Sequence, residues 1–169
     1  MLMLDADEQV FITLLNLKEE GVSLPNVISL AGDARSLTMD NASFDVVFSN
    51  SVIEHVGSYQ DQQRMANEVR RVGKCYFVQT PNRDFPLEPH FLFPFFQFLP
   101  VRTRIWLLQN FNLGWFPRTP DAVKAKEVVE SVRLLDRHEF AELFPDSIIY
   151  EEKVLGLTKS FVAYGGWDV

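Results

Sequence analysis

The chain has 169 residues, a length that supports one domain with a real core and no need of metal or disulfide staples. It carries 16 Lys and Arg against 23 Asp and Glu, a formal charge of -7, which argues against a general binder of nucleic acid or of an anionic membrane. A single cysteine, Cys75, excludes an intrachain disulfide and a zinc cluster built from cysteines.

Cys75 lies in the apolar run KCYFVQ and is expected to be a buried, inert thiol, which suits a reducing cytoplasm. MLML at the start is too short for a signal sequence or a membrane span, so no integral membrane span is expected. Without a secretory signal, the glycosylation pattern Asn41-Ala42-Ser43 is read as a chance match.

In chain order, LMLD at 2–5 predicts a short strand. Val10, Phe11, Leu14, Leu15 and Leu17 then fall at helical spacing, which predicts a helix over 8–20. Asp5 and Glu8 stand at capping-box spacing ahead of it, Asp7 is a rival cap, and Gly21 would end it. NVISLAGD at 26–33 predicts a strand and its exit. FDVVFSN at 44–50 is nearly continuous in apolar residues, the pattern of a parallel strand buried on both faces. A helix over 59–72 would turn Met65, Val69 and Val72 inward, and CYFVQTPN at 75–82 predicts a fourth strand.

From 83 to 120 the texture changes, with prolines at 86, 89, 94 and 100 breaking any long helix. Helices are predicted around 101–110 and 121–133. DRHEFAELF at 136–144 opens with Asp136 and Glu139 at capping-box spacing. SIIYEE at 147–152 and TKSFVAYG at 158–165 predict a terminal antiparallel hairpin or sheet edge. Alternating strands and helices of this kind predict an α/β fold with right-handed crossovers.

Functional residues of an open parallel sheet gather at the carboxyl ends of its strands. Polar residues stand at all four predicted ends: Asp5; Asp33 with Ala34 and Arg35; Asn50 with Ser51; and Thr80 to Asn82. Asp5 suits the two hydroxyls of a ribose and equally suits a helix cap. Asp33 suits an exocyclic amine of a base, or a simple turn in GDAR. Asn50 and Ser51 either meet polar atoms of a ligand or end a strand. His55, in SVIEHVG, has the near-neutral titration a general base needs, and is as often a packed residue bonded to a backbone carbonyl. Spacing assigns no metal-ligand set.

GDARSL at 32–37, SFDVVFSNSVIEHVG at 43–57 and CYFVQTPN at 75–82 together resemble the class I methyltransferases that depend on S-adenosylmethionine, of the type 11 kind. The resemblance covers 2–82 and continues more loosely through RHEFAELF and GLTKSFVAYG. It implies a Rossmann-like methyltransferase fold, mostly parallel with a C-terminal antiparallel strand. It also implies S-adenosylmethionine as cofactor and a small-molecule acceptor. Position by position, Asp5, beside Ala6, resembles the acid that holds the ribose hydroxyls. Asp33 resembles the reader of the adenine amine, and Ala34, followed by Arg35, the residue whose backbone nitrogen approaches the ring. Asn50 with Ser51 resembles the exit beneath the methionine part, and His55 the wall near the cofactor.

The family's first strand and its D-x-G-x-G loop have no counterpart in the sequence, so the chain is expected to start at the family's second strand. Loss of a central strand would expose hydrogen-bonding edges, predicting a homo-oligomer and weak cofactor binding. Six Phe fall between 85 and 98, in the segment that covers the substrate in similar proteins. Three uses fit it: a cover for an apolar or aromatic acceptor, a membrane-surface rest, or packing against the sheet or another subunit. His90 lies within it as a second candidate base. Glu88 stands where it could orient His90, although a separation of two residues shows no contact.

The chain is therefore read as one methyltransferase-like domain, with 1–82 and 134–169 forming the core and 83–133 the substrate-cover insertion. The leading function is methyl transfer to a small acceptor. The alternative is an inactive remnant of the fold that binds or assembles. A nicotinamide-dependent oxidoreductase shares the ribose acid but leaves the GDA and EHV blocks unexplained.

Overall fold

The computed structural model describes residues 10–18, 21–22 and 24–167. Its first element is a strand, β1 (Ile12–Asn16), where the apolar spacing predicts a helix over 8–20. Six apolar residues within the eight positions 10–17 satisfy either period, and pairing decides between them. β1 runs parallel to β2 (Val27–Ala31), in register from Ile12 opposite Val27 to Asn16 opposite Ala31. The Asn26 side chain fastens the entry by donating to the Val10 carbonyl at 2.7 Å. The expected strand over 2–5 and the Asp5 and Glu8 cap lie outside the described residues.

β3 (Phe44–Asn50) and β4 (Gly73–Pro81) pair in parallel through α1 (Tyr59–Val72), the expected crossover. Ser58 and Asp61 cap α1 reciprocally, and Met65, Val69 and Val72 are buried as the pattern predicts. β3, expected to be buried on both faces, is not. Val47 packs on the core beneath α1, while Val46 is 51% and Phe48 68% exposed. Among the described residues, nothing pairs with the edge of β3 away from β4. Cys75, at the open end of β4, is half-buried rather than buried.

The insertion contributes the small hairpin β5 (Leu87–Glu88) and β6 (Phe93–Pro94), then α2 (Val101–Asn110) and α3 (Ala122–Glu130). It builds its own core from Phe91, Phe96, Leu108, Leu113, Ala125 and Val129. Phe95 and Phe98, by contrast, are more than half exposed. Asp136 caps α4 (Arg137–Leu143) in a full capping box with Glu139, as the spacing predicts. β7 (Ile148–Val154) and β8 (Leu157–Gly165) form the terminal hairpin, and β8 also pairs antiparallel with β4. Its two-residue turn, Leu155-Gly156, takes positive φ at both positions, the geometry that matches the twist of the strands.

The main core lies between this sheet and the helices α1 and α4, where Phe140 meets Phe144 at 5.2 Å and Phe161 at 5.9 Å between ring centroids. Phe140 is fully buried. Phe140→Ala is expected to cost about 3–5 kcal/mol of unfolding free energy through lost burial and the cavity left behind. Urea denaturation followed by circular dichroism measures it, and a loss under about 1 kcal/mol would contradict the packing described.

Candidate functional site at the strand ends

Asn16, at the carboxyl end of β1, and the Gly32–Arg35 turn after β2 form one wall of a cavity of about 340 Å³. Val52, His55, Val56 and Gly57, which follow β3, form the other. The Gly32 amide donates to the Asn16 carbonyl at 2.8 Å and holds the two exits side by side. The Asn16 side chain is exposed at the rim.

Asp33 is not a free carboxylate. Arg35 grips it through Nη2 to Oδ2 at 2.6 Å and Nε to Oδ1 at 2.9 Å, and the Arg35 amide also donates to Oδ1. Arg35 Nη1 donates onward to Asp61 Oδ1 at 3.0 Å. These hydrogen bonds to Arg35 pull the Asp33 pKa down to about 2. Asp61 is likewise held at about 2, chiefly by its bonds from Ser58. The structure therefore brings Asp33, Ala34 and Arg35 to the cavity as the sequence predicts, but with the acid already paired.

Asn50 and Ser51 stand at the end of β3. Ser51 takes a left-handed φ of 52°. Its hydroxyl donates to Gln79 Oε1 at 3.0 Å, which ties the ends of β3 and β4 together. Asn50 faces a separate groove of about 520 Å³ between β1 and β3, shared with Asn16 and lined mainly by apolar residues. Asp5 and Ala6 lie outside the described residues.

The strongest concentration of chemistry lies just past β3. A short 3-10 turn, Ile53–His55, places Glu54 fully inside the protein. Glu54 Oε2 accepts from Thr80 Oγ1 at 3.1 Å, whereas Oε1 is buried without a hydrogen-bond partner. His90, carried by the β5–β6 hairpin, points Nε2 at that oxygen from 3.8 Å. Its Nδ1 lies 2.7 Å from Glu88 Oε1, so the orientation by Glu88 that spacing could not establish is present. Glu88 Oε2 also accepts from the amides of His90 and Phe91. His55 meets His90 edge-on, with ring centroids 4.9 Å apart.

Burial pushes the Glu54 carboxyl above the usual range, against the Thr80 bond and the His90 charge. Burial alone would lower His90, but the bond and charge of Glu88, with Glu54, outweigh it and raise its pKa. His55 is lowered, by burial first and then by the neighbouring His90. Both candidate bases thus meet in one cluster, although they lie 35 positions apart in the chain. Sequence reading missed Asn16, hidden within the supposed helix, and the inward turn of Glu54.

Residues 4–75 match the family model described as a methyltransferase domain. The match covers 72 of the 169 residues, so it is this segment that is similar to a methyltransferase domain. Two uncharacterized proteins from strains of Mycobacterium tuberculosis are 42% identical over 53 residues, 31% of this chain. The chain spans only 18% of the length of these relatives. A SAM-dependent methyltransferase of Methanosarcina mazei shares the fold with a TM-score of 0.50 at 15% identity, over 90% of this chain and 79% of that one. LepI, solved in complex with SAM, superposes with a TM-score of 0.51 at 6% identity, over 94% of this chain and 36% of its own.

The paired acids at this cavity carry a pH signature. Unfolded aspartates titrate near pH 3.9, roughly two units above the folded values of Asp33 and Asp61. Their contribution is present above the unfolded value and is lost as pH falls toward about 2. The urea midpoint is expected to drop over this acid range, and Asp61→Asn to flatten the drop. An unchanged slope in Asp61→Asn would show that the Arg35 network is not formed in solution.

Proposed function

We propose that the chain binds S-adenosylmethionine and transfers its methyl group to a small apolar or aromatic acceptor. The observation that carries this reading is the 340 Å³ cavity at the carboxyl ends of β1 and β2, bordered by Asn16, Asp33 and Ala34. Ligands of open α/β sheets bind at such ends, and the size suits a nucleoside. The match of residues 4–75 to the methyltransferase domain supports the same cofactor.

When bound, S-adenosylmethionine supplies an electrophilic methyl on sulfur. The chain's own residues align, exclude water and handle the acceptor's proton. In this reading the Asn16 amide meets the ribose hydroxyls, and the Ala34 backbone approaches the adenine. Asp33 offers its rim to the exocyclic amine while Arg35 retains it. Asn50 and Ser51 lie toward the methionine part. The Glu54–His55–His90 cluster is the group that acts on the acceptor, because a proton bound at His90 Nδ1 by Glu88 leaves Nε2 to take another. The Phe-rich insertion, which carries His90, covers the acceptor side.

Calorimetry with S-adenosylhomocysteine tests the cofactor half directly. Saturable heat is expected, and silence at millimolar ligand would favour the inactive remnant. Asn16→Asp is expected to tighten binding about fivefold, since a charged acceptor to a hydroxyl is worth roughly 1 kcal/mol more than a neutral one. An unchanged or weaker affinity would remove Asn16 from the ribose position.

The same fold supports self-association as a second reading. Among the described residues, the unpaired edges of β1 and β3 flank the 520 Å³ groove, and Ile12, Leu14, Val46 and Phe48 are exposed around it. Open edges of this kind recruit another strand. Light scattering is expected to show a dimer or larger species at micromolar protein. A clean monomer would overturn this reading and leave the cofactor reading standing.

A further inference from the structure

The Glu54–His90 approach has a chemical oddity. Glu88 takes the Nδ1 side of His90, so in the neutral ring Nε2 carries a lone pair. That lone pair faces Glu54 Oε1, a buried oxygen with no donor of its own, across 3.8 Å. With Glu54 ionised and the ring neutral, two acceptors would face each other, and 3.8 Å is too long for a hydrogen bond to join them. His55 brings a third donor atom to the same point: one ligand atom each from Glu54, His55 and His90 lies within 4.8 Å of the others.

We propose that these three side chains hold a divalent first-row transition metal. Two imidazoles and one carboxylate suit Zn²⁺, Fe²⁺, Co²⁺ or Mn²⁺, rather than the all-oxygen shells of Ca²⁺ or Mg²⁺. Ligand atoms about 2.1 Å from a tetrahedral metal stand roughly 3.4 Å apart, so the separations seen require a closure of about an ångström. Two further features belong to a metal site. Glu88 fixes the ring of His90 as a carboxylate partner behind a ligand imidazole. Thr80 fixes the second oxygen of Glu54. Two of the chain's three histidines converge here, while His138 lies elsewhere, 82% exposed.

The ion would complete the Glu54 coordination that hydrogen bonding leaves open. His55 also lines the 340 Å³ cavity, so the ion stands at the rim of the proposed cofactor site. With the ion in place both imidazoles would be ligands, and the metal would supply the acidification of a bound acceptor hydroxyl; the base role proposed for His90 belongs to the metal-free chain. Metal binding itself does not depend on the methyl-transfer reading.

Calorimetry of the metal-stripped chain with Zn²⁺ and with Co²⁺, at neutral pH, tests the site. One ion per chain is expected at micromolar affinity or tighter, with Co²⁺ giving the visible absorption of a low-symmetry nitrogen and oxygen site. His90→Ala and Glu54→Gln are expected to weaken binding at least a hundredfold. Glu88→Gln should weaken it about 10–100-fold by loosening the ligand ring. His138→Ala should leave it unchanged. Because Glu54 is fully buried, His55→Ala, on the exposed side, serves where Glu54→Gln fails to fold. Absence of binding by the parent chain overturns the proposal, as does full binding by both His90→Ala and His55→Ala.

Discussion

A carboxyl group with no access to water organises the strand-end side of this protein. Glu54 is fully buried, and an uncompensated charge there would cost several kcal/mol. The surrounding elements are arranged to hold it. Its backbone carbonyl accepts from the Arg133 amide at 2.7 Å. Buried Gln62 donates to the carbonyls of Ile53 and Arg133, and accepts from the Arg133 side chain. Thr80, at the end of β4, supplies the bond to Oε2. Three segments, at Gln62, Thr80 and Arg133, are fastened around the Ile53–Glu54 turn, and the β5–β6 hairpin is the fourth to approach it, through His90. Half-satisfied polar networks are costly, and Oε1 is the one carboxyl oxygen of Glu54 without a hydrogen-bond partner, the position to which the proposed metal is assigned.

This arrangement ties the 83–133 segment to the main sheet. The Phe-rich segment packs chiefly on itself, around Phe91 and Phe96. Glu88 accepts the amides of His90 and Phe91, so the same carboxylate that aims the imidazole also starts the turn that buries Phe91. The small core of the insertion therefore fixes the position of a functional group over the main sheet. Loosening that core would move His90 before it unfolded the domain.

Most of the fold was legible because its local signals agree with its tertiary contacts. β3, α1 and α2 lie where pattern places them, and Asp136 with Glu139 caps α4 as the spacing indicates. The failures have physical causes. Residues 10–17 fit a helical and an extended period alike, and only the ladder with β2, remote from any local signal, makes them a strand. Apolar density in β3 signals two covering layers, but density cannot report whether the second layer is there. The site was legible as residue types and strand ends. It was not legible as contacts: the Arg35 grip on Asp33 and the Glu88 bond to His90 depend on side-chain geometry that two-residue spacings do not encode.

The gap between β1 and β3 bears on how the two walls of the strand-end cavity hold together. β1 and β2 form one two-stranded sheet, β3, β4, β8 and β7 another, and no ladder joins them among the described residues. A two-stranded sheet has little stability of its own. What links this one to the rest is the Gly32–Arg35 turn: Arg35 reaches Asp61 on α1, and the Leu37 amide donates to Glu68 on the same helix at 2.7 Å. Arg71 adds bonds to the carbonyls of Leu37 and Met39. The wall carrying Asn16 is thus tethered to the domain by charge-assisted bonds rather than by strand pairing. Such bonds weaken with salt and acid, whereas the Glu54 cluster rests on the apolar core. The Asn16 wall is accordingly the part of the cavity most sensitive to solution conditions, and filling the groove between β1 and β3 would stiffen it without altering a residue of the cluster.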